Sequence, residues 1–332
     1  MDIKNKVSVI IPTHNRHGLL NRSLNYWLEL KLNIIVFDSS VKIYNNKSDK
    51  IKYYHRPNIS FVNKICEAVE KINTEYCVLC ADDDFITFNG LQNAIKFLEK
   101  NKDYGIAHGD YYSFYIKHNM KKEIIWKKGY IGNTIDQDTP QKRLLYHFNN
   151  YNCPTFYGVH RTKVLKDIWR LTKDNVDDNR FSELLPTMLS VIYGKIKRIE
   201  GFYCAREKLL RKEEVPDIFN FIEDNSYEYK FKKFKDCLTK ELSFFGDFTS
   251  KDSEKIINKG MKNYLLNIQE DKNKFNFSVK LIIIYFLKKI NIYYYLIDIY
   301  KKSNFYNKID PTQELEEYNI ISKLIINHQN SN

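Results

Sequence analysis

Three short, almost wholly apolar runs, each closed by a cluster of polar residues, limit what this chain can fold into. Lys6 to Ile11 leads through Pro12 to Thr13-His14-Asn15-Arg16. Asn33 to Phe37 leads to Asp38-Ser39-Ser40, and Tyr76 to Ala81 leads to Asp82-Asp83-Asp84. Between them, residues 18–30 and Ser60 to Val69 with Lys71-Ile72 repeat apolar side chains at spacings of three and four, which is the helical period. Lys52 to His55 adds a short strand, and Ser60 is placed to cap the second helix. Short apolar strands alternating with helices dictate a mostly parallel α/β sheet, Rossmann-like, with helices on its faces. Ligands of such sheets bind beyond the carboxyl ends of the strands, where all three polar clusters fall.

Further along, Gly90 to Glu99 reads as a helix and Gly105 to Tyr115 as strands of a mixed sheet. Residues 126–150 read as loop, Asn152 to Arg161 as a cleft-lining strand, Ser182 to Tyr193 as a helix with Pro186 in its first turn, and Lys197 to Cys204 as a strand. Beyond about residue 210 the pattern becomes long and helical. We therefore expect a ligand-binding domain at 1–210 and a mainly helical region at 211–332. Within the latter, Leu281–Leu287 and Ile290–Ile297 flank Lys288-Lys289. Helices apolar nearly all round belong in a core or subunit contact; an interfacial membrane helix with aromatic residues and lysines at headgroup level is the other reading.

The formal charge is +12. Residues 206–332 hold 22 Lys or Arg against 19 Asp or Glu, leaving 31 against 22 in residues 1–205, so the basic surplus lies in the front part. An anionic partner is expected there. No basic block or reading motif points to nucleic acid, and neither a Gly-rich dinucleotide fingerprint nor a P-loop occurs. Six cysteines show no disulfide framework; Cys77 and Cys80, three apart on a strand, face opposite sides. The apolar N-terminal run is too short for a signal peptide and no run is long enough to span a membrane, so a cytoplasmic location is expected.

Three consecutive carboxylates need a counter-charge, since two at ~4 Å repel by about 4 kcal/mol near a protein surface. On an extended segment Asp82 and Asp84 would share one side, and two hard oxygen ligands suit Mg²⁺ or Mn²⁺ bound together with substrate phosphates. An acidic turn capping the next helix is the plainer alternative. The order and spacing of Val7–Arg16, Phe37–Ser40 and Asp82–Asp84 resemble the nucleotide-sugar domain of family 2 glycosyltransferases, with the GT-A fold, over roughly residues 5–210. The resemblance implies that Pro12, Thr13, Asn15 and Arg16 cradle the nucleoside and that Asp38 bonds its base. Lys64 would approach base or diphosphate, Asp82 and Asp83 would lie near the ribose, and Asp84, with Asp82, would hold the metal. Phe37-Asp38-Ser39-Ser40 departs from the acidic-plus-glycine pattern of many members.

Inverting members need a general base for the acceptor hydroxyl. Glu183, opening a helix whose dipole favours an ionised carboxylate, is the first candidate, with Asp177 and Asp178 behind it; a purely capping role for Glu183 is the alternative. Arg161 and Arg206 follow cleft strands and are candidates for neutralising phosphates. The expected function is metal-dependent transfer of a sugar from a nucleotide diphosphate, UDP foremost, to a hydroxyl of a glycan or lipid-linked glycan, in surface polysaccharide such as capsule or lipooligosaccharide. Peripheral contact with the inner membrane and homo-oligomers are compatible with it. A nucleotidyltransferase and a non-catalytic nucleotide-sugar or polyanion binder are the rivals.

Overall fold

The computed structural model describes residues 3–45, 48–117, 123–129, 131–152, 155–208, 221–276 and 314–330. The apolar pair of segments at Leu281–Ile297 lies outside them. Among the described residues nine strands form one sheet: β1 (Val7–Thr13), β2 (Asn33–Asp38), β3 (Ile51–His55), β4 (Tyr76–Leu79), β5 (Phe85–Ile86), β6 (Tyr104–Lys117), β7 (Glu123–Lys128), β8 (Val159–Arg161) and β9 (Lys195–Glu207). Their order is β3-β2-β1-β4-β8-β6-β9-β5, with β7 paired to β6. Strands β1, β2, β3 and β4 are mutually parallel, as are β6 and β9; β8 runs against β4 and β6, and β5 against β9. The sheet is the mostly parallel mixed sheet of the GT-A architecture.

Helices α1 (His17–Leu30), α2 (Phe61–Glu70), α3 (Phe88–Lys100), α4 (Pro140–Asn149), α5 (Thr162–Asn175) and α6 (Phe181–Tyr193) flank it. Helices α7 (Tyr227–Gly246), α8 (Ser250–Asn276) and α9 (Glu314–Asn330) follow. Ser60 Oγ accepts from Asn63 N at 3.3 Å, capping α2. Among the described residues the buried apolar side chains fall into three clusters. One joins α1, α3 and α9 to a sheet face through Trp27, Leu91 and Ile321. A second lies under α2 and α5 around Ile65 and Trp169. The third joins α6 to α4, α7 and α8 through Leu144, Phe181, Phe234 and Ile257. The described C-terminal helices thus pack into cores built by the front part of the chain. Among the described residues no helix is long and apolar enough to cross a membrane.

Two elements differ from the sequence reading. Residues 126–150 are not a loop: Trp126 belongs to β7, and Thr139 caps α4 with Pro140 in its first turn. Proline there loses only an amide that has no helical partner. The stretch expected as one cleft strand is a 3₁₀ turn, Thr155–Tyr157, followed by the three-residue β8. Pro12 lies inside β1. Pairing of β1 with β4 reaches only Ile10↔Leu79, so Pro12 is paired on one side alone and its missing amide costs no ladder bond to β4.

Candidate active site

The chain places β2 and β3 on one side of β1 and then returns to place β4 on the other. A crevice therefore opens beyond the carboxyl ends of β1 and β4, the switch point where ligands of open α/β sheets bind. Register brings the polar clusters together there. Thr13 is level with Asp38, and Thr13 Oγ1 donates to Asp82 Oδ2 at 2.6 Å with both residues buried.

Asp82 to Asp84 are not extended. Asp84 N donates to Ala81 O at 3.1 Å, a turn that breaks the side-to-side alternation expected of a strand. Asp82 and Asp84 therefore do not share one side. Arg16 takes Asp82, with Nη2 3.2 Å from Oδ1, and also bonds Asp83. Asp84 turns to β9, whose Ala205 pairs with Phe85. Arg206 Nε donates to Asp84 Oδ2 at 3.0 Å and Glu207 N to Oδ1 at 3.2 Å. Burial pushes Asp84 up to about 7 against the pull of Arg206, and pushes Asp82 up to about 6 against that of Arg16. The side-chain counter-charges that meet the acidic triad are two arginines, Arg16 and Arg206.

Asp38 is fully buried and accepts from Ser40 N at 2.8 Å and Tyr53 OH at 2.7 Å, with His17 Nε2 at 2.9 Å. Burial opposes its ionisation, yet these bonds outweigh it and hold the carboxyl below its ordinary value. Asp38 thus holds the β2 end of the crevice together from beneath, and His17 and Tyr53 are the groups it orients. Asn15 adopts φ 54°, a left-handed conformation asparagine tolerates, and from there its N donates to Ser40 Oγ at 2.6 Å, tying the β1 loop to the β2 loop. Lys64 is buried below both loops, with Nζ donating to Thr13 O at 3.0 Å and Ser39 Oγ at 2.9 Å. Burial lowers its pKa while Asp82 and Asp38 oppose the shift.

Arg161 is not in the cleft. Strand β8 runs against β4, so Arg161 lies opposite Tyr76, at the entry end of that strand. Six residues of extended chain, roughly 20 Å, separate this level from Asp82. Its guanidinium bonds the carbonyls of Leu98, Asn101 and Tyr104, closing the end of α3.

The third candidate group lies at the start of α6. Asp178 Oδ1 accepts from Arg180 N at 2.7 Å and Phe181 N at 2.8 Å, which fixes the carboxylate, while its Oδ2 is buried without a hydrogen-bond partner. Glu183 is exposed in the first turn and accepts from Tyr151 OH at 3.3 Å; Asp177 is exposed. The segment after Tyr151 leads to Tyr157, over whose ring the Arg206 guanidinium lies at 4.8 Å. Tyr151 thus touches Glu183 and Tyr157 touches Arg206, the partner of Asp84.

Residues 8–169 match the family model described as glycosyl transferase family 2. They form a family 2 glycosyltransferase domain. No curated protein matches the chain. Among solved structures, S. aureus TarS 1-349 in complex with UDP-GlcNAc superposes with a TM-score of 0.55 at 13% identity, over 83% of this chain and 77% of that one. The longer S. aureus TarS chain gives 0.49 at 15% identity; the match covers 78% of this chain and 43% of TarS. At these identities the likeness is one of fold.

In this glycosyltransferase domain the donor set around Asp84 suits a hard divalent ion. It is a hard carboxylate with Oδ1 held by the Glu207 amide and Oδ2 by Arg206, whose side chain is partly exposed, so an ion could reach it only where Arg206 yields Oδ2. Among the described residues no group of three or more His, Cys, Asp or Glu is arranged to hold a metal, so substrate oxygens would have to complete the coordination. Two residues that the sequence reading missed stabilise the site. Arg22, buried in α1, pairs with Glu207 and donates to Asp83 O at 3.2 Å, its guanidinium 5.3 Å above the Phe85 ring. The only local signal for Arg22 is a charge on the otherwise apolar face of a helix.

Proposed function

We propose that the chain transfers a sugar from a UDP-sugar to a glycan hydroxyl with inversion at the anomeric carbon. The observation that carries this reading is the convergence of Thr13, Arg16, Asp82, Asp84 and Arg206 at the switch-point crevice of a family 2 glycosyltransferase domain. The UDP-GlcNAc held by a protein of the same fold supports the choice of donor. The nucleoside would lie against the β1 and β2 loops, with His17 and Tyr53 presented by Asp38 and the backbone held by Asn15 and Lys64. Arg16 and Arg206 would face the diphosphate and stabilise the negative charge that grows on it as the sugar leaves. Asp84, with Asp82 close by, would hold Mn²⁺ or Mg²⁺; when bound, the ion supplies Lewis-acid stabilisation of the same leaving group.

On the acceptor side we assign the base to Asp178. Its Oδ1 is fixed by two amides, and its Oδ2, buried without a hydrogen-bond partner, would have to be uncovered by the arriving acceptor to take the proton of the attacking hydroxyl. Glu183 and Tyr151 would orient the acceptor. A growing surface polysaccharide, free or lipid-linked, is the acceptor class this reading favours. The test is a thermal-shift and product-release screen of nucleotide sugars with and without Mn²⁺. A UDP-sugar should raise the melting temperature by several degrees and release UDP. Nucleotide-sugar hydrolysis or transfer that survives Asp84→Asn unchanged, or no response to any nucleotide sugar, overturns the assignment.

A further inference from the structure

At the strand ends acid meets base in pairs before any ligand arrives: Asp82 and Asp83 face Arg16, Asp84 faces Arg206, and Glu207 faces Arg22. The charges of a divalent cation and a pyrophosphate diester cancel, so the two together add no net charge to this group, whereas either alone does. The two pairs on β9 are built differently. Arg22 and Glu207 have side chains only 2% and 7% exposed, and Arg22 is also bonded to Asp83 O, so that pair is fixed. The Arg206 side chain is 28% exposed, and its guanidinium stacks over the Tyr157 ring while Nε holds Asp84 Oδ2. Oδ1 is meanwhile held by a backbone amide, which cannot leave. Oδ2 is thus the oxygen of Asp84 whose partner can be exchanged.

From this juxtaposition we infer that Arg206 and a divalent cation are alternative partners of Asp84 Oδ2, and that the donor's diphosphate exchanges one for the other by drawing the guanidinium onto itself. The inference rests on the reading that this site takes a nucleoside diphosphate and a metal, and adds the order and coupling of their binding. Metal binds weakly alone because Arg206 already neutralises the carboxylate. Nucleotide and metal then strengthen each other, and the coupling is reciprocal.

The experiment titrates the full chain with Mn²⁺, read by the paramagnetic resonance signal of the free ion, with and without saturating UDP. In the wild type UDP should tighten Mn²⁺ at least tenfold, and Mn²⁺ should tighten UDP by the same factor. Arg206→Met should tighten Mn²⁺ alone by about tenfold, some 1.4 kcal/mol, and reduce the coupling factor by the same amount, leaving only the part that direct ligation of the ion by the diphosphate supplies. Arg206→Lys keeps the charge without the planar donor and should fall between; it also serves if the Met variant does not fold. Mn²⁺ affinity unchanged in Arg206→Met, or undiminished coupling in both variants, overturns the exchange. A wild type that binds neither UDP nor UDP-sugar under any condition instead overturns the functional reading.

Discussion

The two sides of the cleft are built to different specifications. On the side proposed for the donor, Thr13, Asp38, Asp82, Asp84 and Arg206 are placed by strand register, are mostly buried, and meet partners from distant parts of the chain. On the side proposed for the acceptor, Asp178 and Glu183 stand at a helix start and depend on bonds within a few residues or on one half-buried tyrosine. The donor side can therefore be disabled only by disturbing a charge network. The acceptor side can be altered one group at a time with the fold intact. Variants on the acceptor side should separate chemistry from binding, and variants on the donor side should not.

The largest effect tests that separation. Asp178→Asn retains an oxygen to accept from Arg180 N and Phe181 N, so the start of α6 and the melting temperature should hold. Loss of the base should lower kcat by about 10²–10⁴-fold, with the affinity for UDP unchanged. Glu183→Gln should cost less than about tenfold in kcat, since its carboxylate is solvent-facing. Steady-state kinetics with a UDP-binding control decides the matter, and the reverse ranking would return the base to Glu183.

The second effect is on stability and belongs to the donor side alone. Asp82 and Asp84, raised by burial to about 6 and about 7, hold protons in the folded state that the unfolded chain releases near pH 4. Folded protein binds more protons across that interval, so raising the pH from about 4 to about 7 removes stability, at most about 1.4 kcal/mol per pH unit for each group. Two buried histidines act in the opposite sense. Burial lowers His147 to about 3 and His160 to about 4, so stability grows as the pH rises from about 4 towards the ordinary imidazole value. A wild-type profile alone would mix the two trends. The melting temperature of Asp84→Asn minus that of the wild type, without donor or metal, should rise between pH 5 and pH 8. A flat difference would show that Asp84 ionises at no cost in the folded protein, and the two sides would then not differ in the way described.

That contrast also explains what could be read from the sequence. The parallel strands and their terminal clusters were legible because a buried parallel strand must be apolar along its length and must become polar where it leaves the sheet. Match of charge to charge was not. Arg22 and Glu207 are 185 residues apart, and no local pattern announces that two such positions meet. Arg161 was misplaced because composition does not encode strand direction: β8 runs against β4, so its end points away from the cleft. Asp82 and Asp84 share one side only if the strand is carried past Leu79 as far as Asp84, whereas a turn closing on Ala81 replaces the pleat there. Helix α4 was hidden by the glycines that precede it, although Thr139-Pro140 followed by Leu144 and Phe148 carries a start signal and a helical spacing.

The smallest effect bears on whether the acceptor side is as modular as its geometry suggests. Tyr151 OH reaches Glu183 Oε1 at 3.3 Å in an exposed setting, and its ring lies 5.3 Å from His147 and 5.4 Å from Tyr264. Tyr151→Phe keeps both ring contacts and removes only the hydroxyl. An exposed hydrogen bond of this length contributes about 0.5 kcal/mol or less, so the melting temperature should move by no more than about a degree. If Tyr151 and Glu183 together orient the acceptor, the KM for acceptor should rise a few-fold while kcat and the affinity for UDP stay put, and Tyr151→Phe combined with Glu183→Gln should add little to either change alone. Full additivity would mean that the two residues act separately on the acceptor. A change in UDP affinity would mean that the segment from Tyr151 to Tyr157 transmits acceptor-side changes to Arg206, and the two sides would have to be treated as one unit.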